Sequence, residues 1–124
     1  MDQNTLVSGG QALVRKLDDA GVRARVAMWV HNADTDTWKL WIVPPSRLTD
    51  KHEFYKTISL IVSKNRAALN GIDASDTEMI SETHPAVRGL ERFVKAPGLQ
   101  NIQFSGNTFN GFYLPEGIVL RVDL

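Results

Sequence analysis

Two consecutive runs, Val22 to His31 and Thr37 to Val43, alternate side chains in the manner of strands, yet neither alternation leaves a polar side. The polar stretch Asn32 to Asp36 between them turns the chain back, and Pro44-Pro45 ends the second run because proline cannot donate to a sheet ladder. If His31 faces Trp38, then Trp29 faces Leu40 and Ala27 faces Ile42, since residues opposed across strands share a face. The other face then carries Val26, Met28, Val30, Lys39, Trp41 and Val43. Slipping the register by one residue regroups these side chains without making either face polar. Three helices cannot easily cover both faces of a sheet built on such a hairpin, so an apolar patch is expected to remain exposed as an interaction site.

The flanking segments supply covering elements. Leu6, Leu13, Val14 and Leu17 recur at helical spacing over Thr5 to Ala20, with Gly21 as a stop. Gly9 and Gly10 weaken the start of that helix, and Ser8 with Gln11 suggests a capping box from which the firm helix begins. Asp18 and Asp19 sit at the unfavourable end of its dipole. Asp50 and Glu53 precede a second helix reaching Asn70, with Phe54, Ile58, Ile61, Val62 and Leu69 as its stripe. Thr77 to Glu82 reads as a short strand, and Pro85 opens a third helix with Ala86, Val87, Leu90 and Val94 inward. Three further strands follow, Asn101 to Ser105, Phe112 to Leu114 and Ile118 to Val122, separated by turns at Asn110-Gly111 and Pro115-Glu116-Gly117. The order α-β-β-α-β-α-β-β-β predicts a single α+β domain over residues 1 to 124, with an antiparallel-rich sheet of five to six strands and three helices.

Several chemistries are disfavoured by composition. The chain has 124 residues, the commonest size for one domain, and 14 basic residues balance 14 acidic ones, so no basic field exists to steer nucleic acid or an acidic membrane. With no cysteine there is no disulfide, zinc–thiolate site or thiol nucleophile. The first residues have neither a basic region nor a long apolar run, and no stretch approaches the ~18 apolar residues of a membrane span, so a cytoplasmic protein is expected.

Motifs add little. Asn32, Asp34 and Asp36 copy the first, third and fifth positions of a calcium loop, but Thr37 stands where glycine belongs and Val43 where the closing glutamate belongs, so a turn is the better account. His31, His52 and His84 fall in different elements without metal-binding spacing, and no metal or cofactor is expected. Glu78 and Glu82 alternate on the third strand with Lys39 as a neighbour, yet no Glu-x-Lys triplet completes a nuclease set. A Gly-x-Ser-x-Gly elbow and a phosphate-binding glycine loop are both missing.

Two stretches, Ala27 to Val43 with its tryptophans around an acidic turn and Ser105 to Tyr113 leading into the final strand, resemble a group of small bacterial α+β proteins of unknown function. The resemblance implies the same order of elements and a bacterial origin, and it carries over no catalytic residue.

Two functional expectations follow. The first is a non-catalytic module that uses Met28, Trp29, Trp38 and Trp41 to form a homo-oligomer or to dock on a protein partner, because interfaces are enriched in tryptophan and methionine. The second is a small-ligand protein, or a metal-assisted hydrolase or nuclease, with a site at the 31–36 hairpin tip. Its candidate residues are His31, Asp34, Asp36, Arg88 and Tyr113, with Asn107 and Asn110 from a nearby turn.

Overall fold

The α+β expectation holds in a computed structural model that describes residues 2–124. Helix α1 spans Gln3–Asp19, strands β1 and β2 span Val26–Asn32 and Thr37–Val43, and α2 spans Lys51–Lys64. Two 3-10 turns, Arg66–Leu69 and Ala74–Asp76, lead into β3 (Thr77–Met79), followed by α3 (Pro85–Glu91), β4 (Ile102–Phe109) and β5 (Phe112–Val122). The strands form one sheet in the order β3-β2-β1-β5-β4, antiparallel except for the β2–β3 pair.

The hairpin register is the expected one: His31 opposes Trp38, Trp29 opposes Leu40 and Ala27 opposes Ile42. Its two faces belong to two cores. Ala27, Trp29, Leu40 and Ile42 pack with Ile118 and Leu120 beneath α1 and α2. Val26, Met28, Val30, Trp41 and Val43 pack with Val119 and Val122 beneath Ala86, Val87 and Leu90 of α3, with Phe109 and Leu114 completing the layer. Against expectation, both faces of the hairpin are thus largely covered, the second by α3 together with Phe109 and Leu114 of the β4–β5 hairpin.

Five local expectations change. Helix α1 begins at Gln3 rather than at Ser8, capped by the Asp2 carboxylate, which accepts from the Thr5 amide at 2.8 Å. Gly9 and Gly10 are packing sites inside it: a Cβ on Gly10 would lie 2.6 Å from Trp29 Nε1 and 2.8 Å from a Leu120 methyl. The second helix stops at Lys64 and continues as a 3-10 turn, and α3 closes at Glu91. Pro115-Glu116-Gly117 does not turn; Phe112–Val122 is one continuous strand. Pro115 is tolerated there because Gly106, opposite it, leaves the ladder in the left-handed region at φ 63°, so the missing N–H breaks no bond.

Asp18, at the unfavourable end of the helix dipole, has its explanation here. Its carboxylate receives both terminal nitrogens of the Arg121 guanidinium at 2.9 Å, and Arg121 is buried and also donates to the Ala24 and Pro97 carbonyl oxygens. A two-pronged charge-assisted contact outweighs the few tenths of a kcal/mol, roughly 0.3–1, that the dipole costs.

One feature of the sheet positions the site. β1 and β5 pair from Val26↔Val122 to Val30↔Gly117 and no further. Beyond that point β1 stays with β2 through Asn32, while β5 stays with β4 down to Phe112. The sheet splits between its central strand, β1, and β5 beside it.

Candidate functional site

The split forms a wedge of about 380 Å³. One wall is the end of β1 with its turn, Val30 to Asp34, and the other is Phe112 to Pro115 at the start of β5; Trp41 lies between them. The wedge closes where the two strands rejoin at Val30 and Gly117. Its size is at the lower end of small-molecule sites, and its lining of aromatic and apolar residues with a few polar groups is of the same kind.

Each wall has a local cause. Asn32 shapes the turn, its side-chain oxygen accepting the Asp34 amide at 3.0 Å, while Asp36 takes a left-handed backbone at φ 51°. This is the backbone-capping role of Asn and Asp in turns. Asn110 and Gly111, both at positive φ, reverse the chain from β4 into β5 and so deliver Phe112 to the wedge. The Phe112 ring stands edge-on to Trp41, with centroids 6.1 Å apart, and 4.8 Å from the His84 ring, which in turn lies 5.0 Å from Trp41. Such edge-to-face packing holds rings in defined orientations.

His84 is fixed by its second duty as the cap of α3. Its Nδ1 accepts the Ala86 amide at 3.1 Å, which requires an unprotonated Nδ1. Burial pushes its pKa below the ordinary 6.5, and the negative charge of Glu78 opposes that shift without cancelling it. The imidazole behind the wedge is therefore neutral near pH 7.

His31 lies on the other face of β1, tilted over Trp38 at a centroid distance of 4.9 Å. Its Nε2 is 2.9 Å from Asp36 and its Nδ1 3.8 Å from Glu116, so two carboxylates engage the one ring. Asp34 has no ion-pair partner among the described residues, and no lysine or arginine lines the wedge.

Of the residues named from sequence, His31, Asp34 and Tyr113 meet at this wedge, and Asp36 joins through His31. Arg88 does not: it lies on α3 and pairs with Glu91 at 2.9 Å. Asn107 bonds the Ser105 carbonyl oxygen within β4, and Asn110 serves the turn, so neither lines the wedge. Met28 and Trp29 have no exposed surface and offer nothing to a partner, and Trp38 is half-buried against His31. Trp41, expected as an interface residue, is instead a wall of the wedge. Glu82 is paired with Arg25 and the Lys39 ammonium bonds the Ser75 carbonyl oxygen, so these do not assemble with Glu78 into a cluster. Among the described residues no three His, Asp or Glu side chains are grouped to hold a metal ion.

Sequence reasoning missed Phe112, Leu114 and Pro115. The signal for Phe112 was the Asn110-Gly111 turn, which sets where β5 starts, but no pattern within one strand reports where it leaves its neighbour. No helix is long and apolar enough to cross a membrane among the described residues. No protein-family model, curated protein or solved structure matches the chain.

Proposed function

We propose that the protein is a non-catalytic binding module whose recognition surface is the wedge where β1 and β5 part. The observation that carries this reading is the cleft of ligand size where β1 and β5 part, lined by Val30 to Asp34, Trp41 and Phe112 to Pro115. Association through the hairpin tryptophans has less support than the cleft, because Met28 and Trp29 are fully buried and Trp38 and Trp41 are only partly exposed. A catalytic reading lacks a reacting pair: His31 is engaged by carboxylates, and no serine, threonine or lysine lines the cleft as a nucleophile for it to activate. The absence of cysteine agrees with a reducing, cytoplasmic setting.

The test uses the three indole N–H resonances as internal probes. Titration with a library of small aromatic, aliphatic and polar fragments should move the Trp41 indole signal and the Tyr113 amide while leaving Trp29 in place. A screen in which no fragment moves Trp41 more than Trp29 would reject the wedge as a binding site.

A further inference from the structure

We infer that β4 is an association edge: two copies of the chain pair antiparallel through Ile102–Ser105 about a two-fold axis, joining their sheets into one. This surface is separate from the cleft between β1 and β5. The sheet ends in two edges, β3 and β4, and treats them in opposite ways. A free edge offers unpaired N–H and C=O groups to any other strand, and proteins blunt such edges with short strands, charges or covering groups. β3 is blunted in all three ways. It has three residues, its middle residue Glu78 is exposed, and the Tyr55 hydroxyl of α2 accepts the Met79 N–H at 3.0 Å. That N–H points away from β2, because the next one, of Ile80, donates to the Ile42 carbonyl oxygen.

β4 has none of these guards. It is eight residues long and exposed along most of its length. No residue from Ala96 to Pro115 is charged, although 23% of the chain is. Among the described residues, only the Asn107 side-chain amide, on the Ser105 carbonyl oxygen, bonds the β4 backbone from outside the β4–β5 ladder.

The missing charge names the occupant. Pairing about a two-fold axis sets an edge against its own copy, so a charged edge would repel itself. β4 carries Gln103 and Ser105 on one face and Ile102 and Phe104 on the other, a pattern that meets its copy without like charges. Ile102, 37% exposed, gains cover from the second copy. Gly106 leaves the extended conformation at φ 63°, which confines the pairing to the residues before it. So short a joint buries less surface than a permanent interface, and the dimer is reversible. With β3 blunted, each copy has one open edge, so association closes at two copies and does not grow into a fibre.

Sedimentation equilibrium over a dilution series reaching ~1 mM, the weak limit of specific association, should show monomer and dimer in exchange. Gln103→Lys with Ser105→Lys, and separately Gln103→Glu with Ser105→Glu, set like charges against each other across the joint. Each pair of changes should weaken the dimer on the order of tenfold or more. Both side chains are exposed, so the fold is retained, as circular dichroism would verify. Mixing the basic and acidic variants should restore a dimer containing one of each. A protein that stays monomeric to ~1 mM overturns the inference. So does a dimer that neither variant weakens, because its interface then lies elsewhere. Loss of the dimer without recovery on mixing also overturns it, since opposite charges across the joint must attract. Growth beyond two copies overturns the closed two-fold pairing.

Discussion

Trp29 and Trp41 lie on adjacent strands, one residue out of register with each other, and the sheet treats them in opposite ways. Trp29 is completely buried; its indole Nε1–H donates to the Leu6 carbonyl oxygen at 2.8 Å, and Gly10 leaves room for the ring. Trp41 faces the other side and is 9% exposed. The difference comes from what lies opposite. Helix α1, seventeen residues long, runs over Trp29; α3, at seven residues, stops short of covering the sheet beyond His84, where β1 and β5 have already separated. One residue type serves as a structural anchor where the covering layer is complete and borders an open cleft where it is not.

Four measurements can break or sharpen that contrast. Trp29→Phe should cost about 2–3 kcal/mol in chemical denaturation, combining a lost buried hydrogen bond with a dry void. Trp41→Phe should cost only about 1 kcal/mol, because the space it leaves opens to solvent at the wedge. Equal losses at the two sites would dissolve the distinction. Gly10→Ala comes next, with a net loss of about 1–2 kcal/mol: overpacking against Trp29 and Leu120 exceeds the ~1 kcal/mol that alanine adds as a helix former. A more stable Gly10→Ala protein would mean that Trp29 is free to move aside.

The third measurement concerns the ring behind the open side. His84 is depressed below its ordinary 6.5, so the unfolded chain takes up this proton more readily than the folded one. Stability should therefore fall as pH drops from about the ordinary value toward the lower folded value, and level off below both, as far as this group contributes. His84→Asn keeps a side-chain acceptor at the helix cap, and the slope in that interval should flatten; an unchanged slope assigns it to other groups. The smallest effect is expected from Tyr113→Ala. At 60% exposure it should alter stability within about 0.5 kcal/mol while weakening ligand binding at the wedge. A large loss of stability would show the tyrosine to be a structural member of the wall.

Much of the first half of the chain was legible locally. The hairpin register, the proline stop and the second helix's buried Phe54, Ile58, Ile61 and Val62 all follow from side-chain period and turn chemistry, which act over a few residues. Gly9 and Gly10 were misread because helix propensity is itself local, whereas their reason for being glycine sits on β1, β5 and the loop after α2. Pro115 was misread as a turn for the same kind of reason: its tolerance depends on Gly106, which lies across the ladder. The site was legible in part. His31, Asp34 and Tyr113 could be named as polar and aromatic groups near predicted turns, but Arg88, Asn107 and Asn110 were equally plausible by that criterion.

By itself the sequence determined the hairpin, its register and its two apolar faces, because no pairing of its residues yields a solvated side; that both faces are largely covered was decided by the tertiary structure. Tertiary structure decided which tryptophan is sealed and which borders a cleft. That choice depends on how far α3 reaches over the sheet and on the point where β1 and β5 part, and each is a relation between segments that no single segment encodes.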